Sequence, residues 1–207
     1  MLRLAALLIC LALPVAAQVP QVPELRFQRL VLDPSHSTLL AQIDHLGIAP
    51  FTFGFDDITA TLDIGTEELH ATALAAEVRV ASLDLPAPPD GFLSKMLGKD
   101  WLQADGFPAI TYRSNGFDRT GPVTARMTGE LTLLGVTAPL TLHIRFHGGY
   151  AQADWEPVAR LGFTATGTFL RSDFGLTTGL PAPGTTTGVG DRINFRVIAE
   201  FTGLARP

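Results

Sequence analysis

The segment VTARMTGELTLLGVTAPLTLHIRF, residues 123–146, reads as two amphipathic strands joined by a short connection. From 123 to 134, Val123, Ala125, Met127, Gly129, Leu131 and Leu133 share one face, and Thr124, Arg126, Thr128, Glu130 and Thr132 the other. From 140 to 146, Leu140, Leu142, Ile144 and Phe146 oppose Thr141, His143 and Arg145. A period of two is the mark of a strand with one buried and one wetted face. Gly135 and Pro139 between the two runs supply turn chemistry and predict an antiparallel pair.

The same rhythm extends in both directions. LGFTATGTFL (161–170) sets Leu161, Phe163, Ala165, Gly167 and Phe169 against three threonines. INFRVIAEF (193–201) sets Ile193, Phe195, Val197, Ala199 and Phe201 against Asn194, Arg196 and Glu200. AITYRSNGF (109–117), HSTLLAQID (36–44) and ATALAAEVRVASL (71–83) also read as strands, the last burying Leu74, Ala76, Val78 and Val80. In FTFGFDDITATLDI (51–64) the apolar parity switches from Phe51, Phe53 and Phe55 to Ile58, Ala60, Leu62 and Ile64. One extra residue near Asp56-Asp57 does this, which predicts a bulge or turn there. SNGFDRTGPV (114–123) offers Asn-Gly and Gly-Pro turn signals, and GLPAPGTTTGVGD (179–191) is a long Gly/Pro/Thr loop of the kind that is mobile or functional.

Eight to ten amphipathic strands with short connections predict an all-β fold, either an antiparallel barrel or a sandwich. Ala76, Ala125, Gly129, Ala165 and Gly167 sit among bulky residues on the apolar faces. Interiors are close-packed, so a facing sheet or a bound apolar molecule must fill the volume such small residues leave. An eight-stranded barrel is about the size that holds one small ligand.

One stretch breaks the rhythm. In DGFLSKMLGKDW (90–101), Phe92, Leu93, Met96, Leu97 and Trp101 follow helical spacing, with Ser94, Lys95, Lys99 and Asp100 opposite. This predicts an amphipathic helix of about three turns with Asp90 as N-cap. Gly98 weakens it by up to about 1 kcal/mol. It is either a plug completing the core or a movable lid over an apolar cavity, with Phe92, Met96 and Trp101 as the contacting side chains.

The first residues read as a processing signal. Met1-Leu2-Arg3 precede an apolar run from Leu4 to Leu13, and Val15 and Ala17 occupy the −3 and −1 positions of a cleavage site before Gln18. The run is too short to span a bilayer about 30 Å thick. The reading is a signal peptide over 1–17, a Pro-punctuated leader over 18–24 and one domain over 25–207, placed in the periplasm or secreted, with no transmembrane segment after cleavage. The chain's one cysteine, Cys10, falls inside the signal, so disulfides, thiolate catalysis and Cys-type zinc sites are not expected of the mature protein.

The 207 residues are 46% hydrophobic and 17% charged, with net charge −5, and no Lys/Arg cluster is present. That argues against a nucleic-acid surface and a polybasic membrane tether, so no nucleic-acid partner is expected.

Several blocks together resemble the YceI-like family of exported, lipocalin-like proteins. LDPSHSTLLAQIDHLG (32–47) is similar to its opening strand pair, and LGKDWLQADGFPAITYRS (97–114) to its short helix and following strand. GELTLLGVTAPLTLHI (129–144) resembles its G-V-T-x-P hairpin and FLRSDFGL (169–176) its R-S-D-F-G turn. The resemblance runs from about residue 26 to 201. It implies an antiparallel lipocalin-like barrel of about eight strands with an internal channel, which selects the barrel over the sandwich. It also implies a hydrophobic small-molecule ligand: a polyisoprenoid chain, an isoprenoid quinone or another long amphiphile.

Burial of an apolar tail contributes roughly 25 cal/mol per Å², and such a channel needs apolar walls with few polar groups. The expected ligand-binding residues are Phe53, Phe55, Leu74, Val78, Met127, Leu131, Ile144, Phe163, Phe195 and Val197. No cofactor is expected beyond a bound isoprenoid or quinone as cargo, and a homodimer is compatible with the chain.

Catalytic and metal patterns are not legible. His143 and His147 lie four residues apart on one strand, about 13 Å, too far to share an ion. His36 and His45 read as structural hydrogen-bonding residues. Arg171 and Asp173 read as a pair locking a turn at Gly175, and Ser172 beside Asp173 is no triad. Asp56-Asp57 and Glu67-Glu68 are adjacent pairs in turns. Two other readings stay open: an enzyme acting on a lipid through His36, His45 or Arg171 at the barrel mouth, and a secreted β-sandwich acting as a structural module.

Overall fold

The computed structural model describes residues 29–65, 71–151 and 154–204. The signal peptide and leader expected over 1–24, and Glu67-Glu68, lie outside the described residues. Among the described residues there are eleven strands: β1 (Arg29–Leu32), β2 (Thr38–His45), β3 (Ala49–Phe55), β4 (Ile58–Ile64), β5 (Ala71–Arg79), β6 (Leu83–Asp84), β7 (Ala109–Arg119), β8 (Thr124–Leu133), β9 (Val136–Tyr150), β10 (Val158–Leu170) and β11 (Val189–Leu204). One α-helix, α1 (Phe92–Leu97), interrupts them.

Three pairs of short strands are halves of single bent staves. β1 runs into β2 through a 3-10 turn at Pro34–His36, β3 into β4 across Asp56-Asp57, and β5 into β6 through a 3-10 turn at Val80–Ser82. β1 pairs with β4, β2 with β3, and β6 with β3, so each half stays beside its proper neighbour. Counted as staves there are eight, all antiparallel, in up-and-down order, closed where β11 pairs with both β2 and β1. The closed barrel removes the sandwich reading.

The predicted break at Asp56-Asp57 is present and has a partner. The Asp56 amide donates to Ser82 O and the Arg79 amide to Asp57 O, so adjacent staves bend together opposite the Val80–Ser82 turn. The Asn115-Gly116 signal is not the turn; it is a register shift inside β7, and Gly121-Pro122 makes the connection to β8. His147 is the extra residue of a second bulge, where Gly162 faces Gly148 but Phe163 faces Phe146.

Alternation aims the apolar faces inward as expected. Ala125, Met127, Leu131 and Leu133 of β8 and Leu140, Leu142 and Phe146 of β9 are buried. Leu30 and Leu161 are fully buried near the seam, within a cluster that includes Phe201. Each such side chain contributes roughly 1.5–3 kcal/mol.

Up-and-down order sorts the connections by end. The upper end carries the β2–β3 turn, residues 85–108 with α1, the β8–β9 turn and residues 171–188; the lower end carries the β4–β5, β7–β8 and β9–β10 connections. The helix is shorter than expected. It spans six residues, its N-cap is Gly91 in a left-handed conformation (φ 75°) and not Asp90, and it stops at Gly98. Turns, not a helical face, then carry the chain to Trp101.

Candidate functional site

The barrel interior holds two chambers. The upper, about 230 Å³, is bordered by β2–β5, by the upper parts of β7–β9, and by β10 and β11. Its walls are aliphatic and aromatic, with Thr111 and Tyr112 as the only polar side chains. The lower chamber, about 580 Å³, lies among the lower parts of β4, β5 and β7–β10 and reaches the β7–β8 turn. Its rim is more polar, with Arg119, Gly121 and Thr124. Leu74 borders both. A chain of rings bridges the divide: Phe163 lies 5.4 Å from Phe146, which borders the lower chamber, and 6.1 Å from Phe201, which borders the upper.

The small inward residues divide into two kinds. A β-carbon on Gly129 would lie 2.5 Å from the Tyr112 hydroxyl, and one on Gly167 would collide with the Phe195 ring, 2.7 Å from Cε1 and closer still to Cζ. Those glycines are seats for a neighbouring aromatic ring, so the protein's own atoms fill the space expected for a ligand. Ala76 and Ala165 border the upper chamber and Ala125 the lower. Tyr112 lies across its seat and donates to Met127 O (3.3 Å) and Leu140 O (3.4 Å). Burial pushes the phenol up to about 12.

Of the residues expected from sequence, Phe53, Phe55, Leu74, Val78, Leu131, Phe195 and Val197 border the upper chamber. Met127, Ile144 and Phe163 border the lower, with Leu74. Phe92, Met96 and Trp101 border neither; Leu102 and Leu176 cover the upper chamber instead. Leu39, Ala41, Ile110 and Phe169 also border it and follow from the same alternation. Leu102 and Leu176 lie in connections, where no periodicity marks them.

Arg171 organises that cover. It is 1% exposed, and its guanidinium donates to Gly190 O, Leu176 O, Thr178 O and Val189 O at 2.8–2.9 Å. It also sits 5.8 Å from the Trp101 ring centre, and Thr178 Oγ1 donates to Asp100 O. One side chain thus gathers residues 176–190 and stacks them on the 85–108 connection. The expected Arg171–Asp173 pair does not form. A 3-10 turn over Arg171–Phe174 carries Arg171 into the core, and Ser172 takes the local carboxylate by donating its amide and hydroxyl to Asp191. Burial lowers the Arg171 pKa, opposed by the charge of Asp191.

The other candidate polar residues point elsewhere. His36 Nδ1 lies 2.8 Å from Asp33 Oδ2 on the outer surface, and His45 sits against Phe51 at the upper rim. His147 Nε2 lies 2.6 Å from Thr164 Oγ1 at its bulge. None of His36, His45 and Arg171 borders either chamber.

The profile of the YceI-like domain matches residues 30–201. The chain belongs to the YceI-like family. A UPF0312 protein of Pseudomonas savastanoi pv. phaseolicola is 32% identical over 142 residues, 68% of this chain and 71% of that protein. One from Shewanella sp. (strain W3-18-1) is 30% identical over 143 residues, 69% of this chain and 72% of that protein. Among solved structures, Burkholderia cenocepacia BcnA superposes with TM-score 0.67 at 21% identity, covering 82% of this chain and 98% of that one. A polyisoprenoid binding domain from Saccharophagus degradans, implicated in plant cell wall breakdown, superposes at 0.57 and 10% identity, covering 87% and 100%. At those identities the structures establish the shared fold. Within this YceI-like barrel the R-S-D-F-G block is the arginine clamp, and the G-V-T-x-P block is the tight β8–β9 hairpin, with Leu134 (φ 51°) and Gly135 (φ 74°) at its turn.

Proposed function

We propose that the chain is an exported binding protein for a long-chain amphiphile, such as a polyisoprenoid or isoprenoid quinone, held in the barrel without turnover. The observation that carries this reading is the upper chamber: a closed barrel surrounds about 230 Å³ whose walls, among the described residues, present no charged side chain. Water gains little from such walls, and an apolar tail gains the full hydrophobic contribution. Small residues at Ala76 and Ala165 in that wall leave the space open at a cost in packing. The polyisoprenoid binding domain of the same fold supports the ligand class, and the signal read over 1–17 supports export. That His36, His45 and Arg171 border neither chamber supports binding over catalysis.

The test is direct. Protein purified without detergent is extracted with organic solvent, and the extract and the intact protein are weighed by mass spectrometry. The expected result is one apolar molecule per chain, lost on extraction. A barrel that carries nothing, and that takes up neither a prenyl quinone nor a polyprenol when mixed with them, would end the proposal.

A further inference from the structure

We infer that the ligand lies tail-up, its tail under the Arg171-clamped cover and its polar head in the lower chamber at the β7–β8 turn, where Arg119 receives a neutral, carbonyl-type head and not a diphosphate. This rests on the binding reading above and adds the orientation and the head-group class.

The two chambers offer a head group unequal company. In the upper one Thr111 and Tyr112 are the only polar side chains, and the Tyr112 hydroxyl already donates to two wall carbonyls. A carbonyl or hydroxyl buried there would lose its water partners for nothing in return. The upper cover is also fastened through every guanidinium nitrogen of Arg171. The lower chamber is larger and is bordered by a cation, a hydroxyl and turn backbone. Arg119 is exposed there; its Nε donates to Gly121 O (3.2 Å) and its Nη2 to Pro122 O (3.0 Å), which fixes the guanidinium at the rim. Nη1 makes no hydrogen bond among the described residues and is the donor available to a ligand oxygen.

The number of cations sets the head class. Among the described residues, Arg119 is the only charged one bordering either chamber. A diphosphate is bound by several converging cations or by fork-like pairing. One arginine with two nitrogens already committed suits one or two carbonyl oxygens. A tail running upward from that head must pass Leu74 and the Phe146–Phe163–Phe201 rings, so a chain long enough to occupy both chambers displaces them.

The experiment uses the full chain and three probes matched in tail length: a prenyl quinone with a four-isoprene tail, geranylgeranyl diphosphate and a headless branched hydrocarbon. Affinities are read by quenching of tryptophan fluorescence and confirmed by native mass spectrometry. The expected order is quinone above hydrocarbon above diphosphate. In R119Q the ratio of quinone to hydrocarbon affinity falls about tenfold, and R119K, which keeps charge but not the fork, recovers part of it. Crowding the rim with V123W slows quinone uptake by about tenfold or more, whereas a bulky residue on the upper surface, L93W, does not. A diphosphate that binds more tightly than the quinone, an affinity ratio unmoved in R119Q with only the unfolding temperature lowered, or uptake slowed by L93W and not by V123W each overturns the inference while leaving the barrel a carrier. Failure of all three probes to bind would overturn the carrier reading itself, and this inference with it.

Discussion

Two arginines fasten the two ends of this barrel, and they do so by opposite means. Arg171 is buried under the upper cover and binds four backbone carbonyls. Arg160 lies on the outer wall near the lower end and binds three carboxylates, Asp33, Glu156 and Glu200, at 2.6–2.8 Å. Tyr150 completes that network by donating to Glu156. The first arginine loses its hydration and hydrogen-bonds only neutral oxygens, so burial lowers its pKa against the opposing charge of Asp191; the second gains charged partners and its pKa rises. The upper clamp is therefore a buried hydrogen-bonded device with no carboxylate among its hydrogen-bond partners. The lower one is electrostatic and as weak or strong as the solution allows.

The largest expected effect comes from removing the buried clamp. Arg171→Ala strands four carbonyls in the cover and opens a void beneath Trp101, and should destabilise the protein by about 3–5 kcal/mol. Arg171→Lys should recover little, because an ammonium cannot reach four carbonyls spread over residues 176–190. Arg160→Ala should remove about 1–2 kcal/mol, since its partners remain partly solvated. Urea unfolding midpoints on all three variants measure this. Equal losses at the two arginines would erase the distinction between a core clamp and a surface one.

A second contrast lies inside the barrel, between seats and spaces. Gly129→Ala drives a methyl into the Tyr112 hydroxyl and should be destabilising by about 2–3 kcal/mol. Ala76→Leu places three carbons in the upper chamber, should leave stability within about 1 kcal/mol of the parent, and should lower affinity for a prenyl quinone by about a hundredfold. Thermal unfolding with and without ligand separates the two. A strongly destabilised Ala76→Leu would mean the space beside Ala76 is not open.

What is legible in the sequence follows from what alternation encodes. The faces of residues 123–146 and the parity switch at Asp56-Asp57 are local facts about side-chain direction, and the barrel reproduces both. Volume is not local. Gly129 and Ala76 look alike in the sequence, and only the neighbouring strand decides that Tyr112 covers one while the other borders the upper chamber. Arg171 was read toward its sequence neighbour Asp173, because nothing in the chain announces carbonyl partners as far away as Gly190. Trp101 looked like the end of a helical face, but Gly98 stops the helix first; the side chains over the chamber, Leu102 and Leu176, come from irregular segments without a period to read.

The smallest effect is the one that pH can isolate at the lower end. The Asp33 carboxyl is held down to about 2, chiefly by the hydrogen bond from Arg160, with burial opposing and His36 and the Ser35 amide assisting. Arg160, followed by Tyr150, lowers Glu156 as well. A carboxylate with a lowered folded-state pKa stabilises the fold fully above the ordinary value near 4, and that contribution disappears as pH falls through the folded value. Urea midpoints should therefore drop between about pH 4 and pH 2, by an amount on the order of 1 kcal/mol for Asp33 after allowance for its partial exposure. Asp33→Asn should be less stable at pH 7 and show a shallower acid limb, converging on the parent near pH 2. Arg171→Ala should keep the parent's acid limb, because no carboxylate is among its hydrogen-bond partners. An acid limb that flattens in Arg171→Ala and persists in Asp33→Asn would move the titrating site to the upper end and reverse the assignment of the two arginines.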